Sequence, residues 1–275
     1  MIMTKPKRII LASDISGLGK VAVTAALPLF AVCQLEVSVL PTVLLSSHTG
    51  GFPNVYIDDY TIGMQAFLKQ WQSLEIGFSA LVTGYLKSSQ QIASLIDFLE
   101  RENIPLIVDP IMADNGKLYA GVPESTIGLM RSLVECADYA VPNYTEACLL
   151  ADTPIAEQIT PDEARALVDA VRELGAKSVV ITSAVVNGTN AVIGYDHVAG
   201  EYFTIPFELI PVYFPGTGDT FSAVLVGRVM AGWSLQRATS DAMRVVAELI
   251  ERNADQEDKS AGLPIEACLD VIDHE

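Results

Sequence analysis

Cationic side chains are scarce in this chain. Seventeen Lys and Arg stand against 34 Asp and Glu, a formal net charge of -17 over 275 residues. Each contact to a nucleic-acid or anionic-lipid phosphate needs a local cation, so this balance argues against nucleic-acid backbones and membrane surfaces as partners. It leaves a nucleotide open, because a few backbone N–H groups and a divalent cation can hold phosphates locally. Cysteine is also sparse. Cys33, Cys136, Cys148 and Cys268 are scattered without a C-x-x-C pair, which excludes a disulfide framework and a zinc ribbon and fits reduced thiols in a cytoplasmic protein. His48, His197 and His274 show no metal-ligand spacing. The longest apolar stretch, Val21 to Leu45, is interrupted by Pro28, Gln34, Glu36 and Pro41. It falls short of the roughly 18 uninterrupted residues of a spanning helix and reads as a buried helix followed by a buried strand. The opening MIMTKPKRIILASDISG lacks an h-region with a small-residue cleavage site, so secretion is not expected. There is no G-x-x-x-x-G-K-[ST] P-loop, no protein-kinase signature set and no nucleophile elbow.

Half of the residues are hydrophobic, enough for a sizeable core, and one α/β domain spanning 1–275 is expected. Short strand-like runs at Arg8–Ala12, Glu36–Leu40, Phe78–Thr83, Leu106–Asp109, Tyr139–Val141 and Ser178–Thr182 alternate with helical patterns. Those patterns lie at Leu18–Gln34, Tyr60–Leu74, Ser88–Arg101, Ser125–Glu135 and Asp162–Leu174. The alternation predicts a mostly parallel sheet covered on both faces. Asn187-Gly188 predicts a hairpin and with it an antiparallel edge. Helical patterns follow at Asp219–Met230, Leu235–Arg252 and Pro264–Ile272, with a solvated connection over Asn253–Lys259. In such a fold, chemistry gathers at the carboxyl ends of strands, where Tyr85, Asp109, Asn143, Thr182 and Ser183 fall.

Three segments carry most of the chemical content. Pro215-Gly216-Thr217-Gly218-Asp219 places two glycines before an apolar helix. Its N–H groups can receive an anion, with Asp219 accepting a hydroxyl proton, or Thr217 or Asp219 can simply cap the helix. Taken alone, the cap is the commoner arrangement. Asp109-Pro110-Ile111-Met112-Ala113-Asp114 sets two carboxylates five apart after a strand, suited to Mg²⁺ or to an ordinary surface turn. Asn143 and Glu146 form a capping-box pattern whose spacing also puts both on one face of a first helical turn. Two loops add hydroxyls, an imidazole and glycines: Ser13-Asp14-Ile15-Ser16-Gly17-Leu18-Gly19, which lacks G-x-G-x-x-G, and Ser46-Ser47-His48-Thr49-Gly50-Gly51.

In order, SDISGLGK, TVLLSSHTG, TGYL, DPIMADNGKLY, PNYTEA, VITS and PGTGDTFSA resemble the ribokinase-like superfamily, most closely its pyridoxal/pyridoxamine kinase branch. The resemblance implies a three-layer α/β/α fold that phosphorylates the 5′-hydroxymethyl of a B6 vitamer with ATP and Mg²⁺. It implies Asp219 as base and Gly216, Thr217 and Gly218 as the anion hole. Asp109, Asp114, Asn143 and Glu146 would organise metal and phosphates, with Asp109, Asp114 and Glu146 nearest the metal. Thr182, Ser183 and Thr217 match the nucleotide side, and Tyr119 a loop that closes over it. His48, Thr49 and Tyr85 match the pyridine pocket, joined by Asp14 and Ser16. A homodimer is implied, and a monovalent cation is left open. Two departures stand out: Ala113 replaces a common glycine, and the first motif is closer to the hydroxymethylpyrimidine kinase form. Asp219, where pyrimidine kinases often carry cysteine, favours the B6 vitamer. Hydroxymethylpyrimidine or sugar phosphorylation, and vitamer binding without catalysis, remain as alternatives.

Overall fold

A computed structural model describes residues 7–74 and 76–272. By its contacts the chain divides into two compact units, one formed by Met1–Lys87 with Ile210–Glu275 and the other by Ser88–Leu209.

In the first unit, β1 (Arg8–Ser16) lies between β2 (Glu36–Leu45) and β4 (Ala80–Thr83), parallel to both. The short β3 (Ile57–Asp59) pairs antiparallel with β2. Successive strand residues face opposite sides of a sheet, and Ile9 through Asp14 and all of β4 are buried. Both faces are therefore covered, as a three-layer fold requires. β1 continues past Ala12 to Ser16, with a register shift between Ser13 and Ile15. The irregularity keeps the polar Ser13-Asp14 pair within the strand's buried end.

α1 (Ala22–Val32) is shorter than its apolar pattern, because Gly17, Leu18 and Gly19 are used in a loop where Gly19 takes φ +103°. α2 (Thr61–Ser73) follows β3, and α7 (Thr217–Met230) and α8 (Leu235–Arg252) pack together. The end of α7 is pinned by a buried ion pair, Arg228 Nε to Asp241 Oδ2 at 2.7 Å, with the Arg228 guanidinium 4.6 Å from the Trp233 ring centroid. The Pro264–Ile272 pattern is not an α-helix. It forms two 3₁₀ turns, Ile265–Ala267 and Leu269–Val271. Up to Val271 its buried residues, Ile265, Cys268 and Val271, are spaced by three, the period of a 3₁₀ helix, and Ile272, beyond the second turn, is buried as well.

In the second unit, β5 (Leu106–Val108), β8 (Tyr139–Ala140) and β9 (Ser178–Val186) are parallel. β10 (Thr189–Asp196) and β11 (Glu201–Pro206) extend them antiparallel. Asn187 and Gly188, at φ +48° and +78°, make the two-residue turn between β9 and β10 that their dipeptide predicts. α3 (Ser89–Glu102), α4 (Ser125–Val134), α5 (Tyr144–Ala151) and α6 (Pro161–Glu173) complete the unit, and α6 packs on β9 and β10. A two-stranded hairpin, β6 (Ala113–Asp114) with β7 (Lys117–Leu118), follows β5. Among the described residues, no helix is long and apolar enough to cross a membrane.

Because Arg228 is 4% exposed, Arg228→Ala should lower unfolding free energy by about 3 kcal/mol in urea denaturation, as breaking a buried pair does. A loss below about 1 kcal/mol would show that Arg244, also on Asp241, neutralises that carboxylate alone.

Candidate active site

In the first unit the site is built around the start of α7. Gly216 is the N-cap at φ +84°, and no side chain caps the helix. The Thr217 or Asp219 cap is thus not adopted. The first backbone bond, Thr220 N to Gly216 O at 2.9 Å, closes only after Thr217, Gly218 and Asp219 have passed, so a helix start with positive dipole character faces outward uncapped. Gly216 is required by sterics as well as by φ, because a Cβ there would collide with the Lys20 carbonyl oxygen. This close approach brings Ala22 N–H onto the Asp219 carboxylate, which it stabilises, while burial of the carboxyl dominates and pushes its pKa up to about 6.

Asp14 is 6% exposed. Burial, and then the charge of Asp219, push it up to about 7. Its carboxyl receives long hydrogen bonds from Ser13 Oγ and Ser16 Oγ, at 3.4 Å each, and one from its own backbone N–H. Asp14 therefore sits near a like charge, and burial and that charge both favour its protonated form. Tyr85 joins them: its N–H donates to Ser13 Oγ at 3.3 Å, and Thr42 Oγ1 donates to its carbonyl at 2.7 Å. Burial, Asp14 and Asp59 together raise the Tyr85 phenol above its usual value. His48 is buried, with its Nε2 2.6 Å from the Ser260 carbonyl oxygen and its ring edge-on to Phe52. Gly19 and Gly51 lie so close to the imidazole that a Cβ at either would meet the ring. Thr49, next along, is exposed.

In the second unit Asn143 and Glu146 form the expected capping box on α5: Glu146 N donates to Asn143 Oδ1 and Asn143 N to Glu146 Oε2, each at 3.0 Å. They also do more. Glu146 Oε1 accepts from Met112 N at 2.9 Å and Ala113 N at 3.3 Å, and Asn143 Nδ2 donates to Ala113 O at 2.8 Å. The box thereby fixes the loop that follows β5, and Ala113 fits it without a glycine. Glu146 is buried, and burial first and the Asp109 charge second hold its carboxyl well above the usual range. Asp114 caps its own turn, accepting from Asn115 N at 2.8 Å and Asn115 Nδ2 at 2.9 Å. Tyr119 N donates to Met112 O, and the residue is 44% exposed. Thr182 bridges to Asn143 from the middle of β9, which runs on past the expected strand end at Thr182, and Ser183 beside it takes φ +61°.

Among the described residues, no three His, Cys, Asp or Glu side chains are grouped to hold a metal ion, so Asp109, Asp114 and Glu146 do not form such a cage. The donors nonetheless suit Mg²⁺, which keeps several waters and takes only one or two carboxylates. Asp109 and the buried Glu146 are like charges that a divalent cation would relieve.

Thr83 belongs to the TGYL segment, whereas the stretch Ser260–Gly262 carried no sequence signal. Thr83 Oγ1, at the end of β4, is buried with no hydrogen-bond partner among the described residues. The stretch Ser260–Gly262 reaches His48 and also Lys20, whose N–H donates to Ala261 O at 2.7 Å.

Comparison with known proteins gives a consistent set of likenesses. The phosphomethylpyrimidine kinase family matches residues 54–263. A Bacteroides thetaiotaomicron structure, described as a candidate phosphomethylpyrimidine kinase and obtained in a crystal form with pyridoxal, superposes with a TM-score of 0.91. Its identity is 32%, over 97% of this chain and 95% of that one. Pyridoxal kinase from Lactobacillus plantarum superposes with a TM-score of 0.87 at 28% identity, over 96% of this chain and 95% of that one. Pyridoxal kinase from Arabidopsis thaliana is 28% identical over 256 residues, 86% of this chain and 79% of that one.

The Asp14 and Asp219 pKa values have a sign that stability must obey. The folded state retains protons that the unfolded chain releases between the ordinary Asp range near 4 and about 7, so stability falls as pH rises through that window. Asp14→Asn should be more stable than the parent at pH 8, on the order of 1–3 kcal/mol in urea denaturation, with the gap closing at pH 5. Equal pH slopes for the two proteins would remove Asp14 as a buried ionising group.

Proposed function

The chain belongs to the phosphomethylpyrimidine kinase family of the ribokinase-like superfamily, and from that premise we propose that it transfers the γ-phosphoryl group of ATP to the 5′-hydroxymethyl group of a B6 vitamer. The observation that carries the reading is the start of α7, where a carboxylate with a pKa near 6 sits beside an uncapped, glycine-opened helix terminus. Asp219 takes the hydroxyl proton as that oxygen bonds to the γ-phosphorus. The bond from phosphorus to the bridging oxygen breaks, and ADP leaves with the electron pair. The N–H groups of Thr217 and Gly218 stabilise charge on the transferring group. On the vitamer side, Asp14, Ser16, His48, Thr49 and Tyr85 line the pocket. On the nucleotide side, Thr182, Ser183 and Tyr119 contact ATP.

Asp109, with Glu146 and Asp114 acting through water, would hold Mg²⁺, which supplies charge neutralisation to the phosphates when bound. Glu146 is suited to an outer position, because both of its oxygens already accept backbone N–H groups. Pyridoxal in the related Bacteroides structure supports the vitamer assignment. The family's name and the SDISGLGK motif favour hydroxymethylpyrimidine as the second reading.

Mass analysis of products from pyridoxal, pyridoxine, pyridoxamine and hydroxymethylpyrimidine, each with ATP and Mg²⁺, separates the two. Phosphorylated vitamers establish the first reading, and turnover confined to the pyrimidine replaces it with the second. Asp219→Asn should lose on the order of 10²–10⁴ in kcat. The parent's kcat/KM should climb between pH 5 and 8 as Asp219, at about 6, and Asp14, at about 7, give up their protons. Near-full turnover by Asp219→Asn would take that residue out of the base role.

A further inference from the structure

The segment from Asp258 to Glu266 belongs to no motif, yet it fastens to both glycine-containing loops of the first unit. Ser260 O meets His48 Nε2 at 2.6 Å. Ala261 O accepts from Lys20 N at 2.7 Å. Glu266 forms an ion pair with the Lys20 ammonium. Gly262, at φ +83°, lies so close to the carbonyls of Lys20 and Pro215 that a Cβ would press on both. The segment also has its own internal brace. Asp258 Oδ1 accepts from Ser260 N at 2.8 Å and from Ser260 Oγ at 2.6 Å, and Gly262 N donates to Lys259 O at 3.0 Å. These two bonds hold the Asp258 carboxyl below its usual range, so it is ionised at neutral pH.

The contact with His48 has a chemical consequence. A carbonyl oxygen can only accept, so Nε2 must carry the hydrogen. In the neutral imidazole that leaves Nδ1 as the acceptor. Among the described residues no protein donor reaches Nδ1. Gly19 and Gly51 pack against the ring and Phe52 stacks edge-on at 5.0 Å, so the imidazole has little freedom to turn over. Ring placement and tautomer are both set from outside the motif that contains the histidine.

We infer that Asp258 is a positioning residue for the acceptor pocket: by bracing Ser260 it aims a backbone carbonyl at His48, fixing the Nε2–H tautomer and presenting Nδ1 as an acceptor for a donor group on the substrate ring. This rests on the proposed kinase reading only for its kinetic part. The tautomer is a property of the protein alone.

The test therefore has two readouts. In ¹⁵N NMR of the whole protein labelled at histidine, His48 should show a protonated Nε2 and an unprotonated Nδ1 at pH 8. Asp258→Ala should broaden or mix the two tautomers, and Asp258→Asn, whose amide oxygen can still accept from Ser260 N, should restore the parent pattern. In kinetics, Asp258→Ala should raise KM for the ring substrate on the order of tenfold, with KM for ATP within twofold and kcat little changed. Asp258→Asn should recover most of that loss. A His48 protonated at Nδ1 in the parent, or an Asp258→Ala protein that is folded and keeps both the parent tautomer and the parent KM, would overturn the inference. Should the parent phosphorylate neither vitamer nor pyrimidine, the kinase reading falls on that result, while the NMR comparison still decides the role of Asp258.

Discussion

The first unit is organised by one close approach, that of Gly216 to the Lys20 carbonyl. Without a side chain at 216, the turn from Lys20 to Ala22 can lie against the start of α7, and Ala22 N–H then reaches the Asp219 carboxylate. That single backbone contact sets several things together. It leaves the helix start without a side-chain cap, fixes the direction in which Asp219 points, and shortens α1 by drawing Gly17 to Gly19 into a loop. Any residue with a Cβ at 216 would have to displace backbone, for which no rotamer change can compensate.

Each unit keeps charge in a place that costs stability. Asp14 and Asp219 crowd one another in the first unit, and Asp109 and Glu146 do so in the second. Burying like charges is unfavourable unless a task requires them. The two pairs are satisfied differently. Glu146 accepts three backbone N–H bonds and so shapes a loop, whereas Asp14 receives two long hydroxyl contacts and one bond from its own backbone. A strongly held carboxylate serves as a fixture, and a weakly held one is left able to exchange protons.

Much of this was legible in the residues themselves. The buried strands announce themselves as short apolar runs, Asn187-Gly188 as a two-residue turn, and Asn143 with Glu146 as a capping box. These features are local, because each is fixed by residues within a few positions of one another. What the chain does not announce is non-local or too short to show a period. β3 is three exposed residues, two of them Asp, and β6 and β7 are two residues each. The bonds from Glu146 to Met112 and Ala113 span more than thirty positions, so the capping pattern hides its second use. The contact between His48 and Ser260 crosses 212 positions and uses a backbone oxygen, which no side-chain motif can encode. The C-terminal apolar spacing of three was legible only as a helix, since a 3₁₀ period over so few residues resembles an α-helical one.

The first unit is discontinuous in the chain, assembled from its opening 87 residues and from the stretch after Ile210, while Ser88–Leu209 is contiguous. During vectorial synthesis the contiguous unit has all of its sequence as soon as β11 has emerged. The early strands β1 and β2, by contrast, must wait for α7 to supply Asp219 and for Ser260 to reach His48. The contacts of Gly216 with Lys20 and of Ser260 with His48 are thus made only after the whole of Ser88–Leu209 has been synthesised.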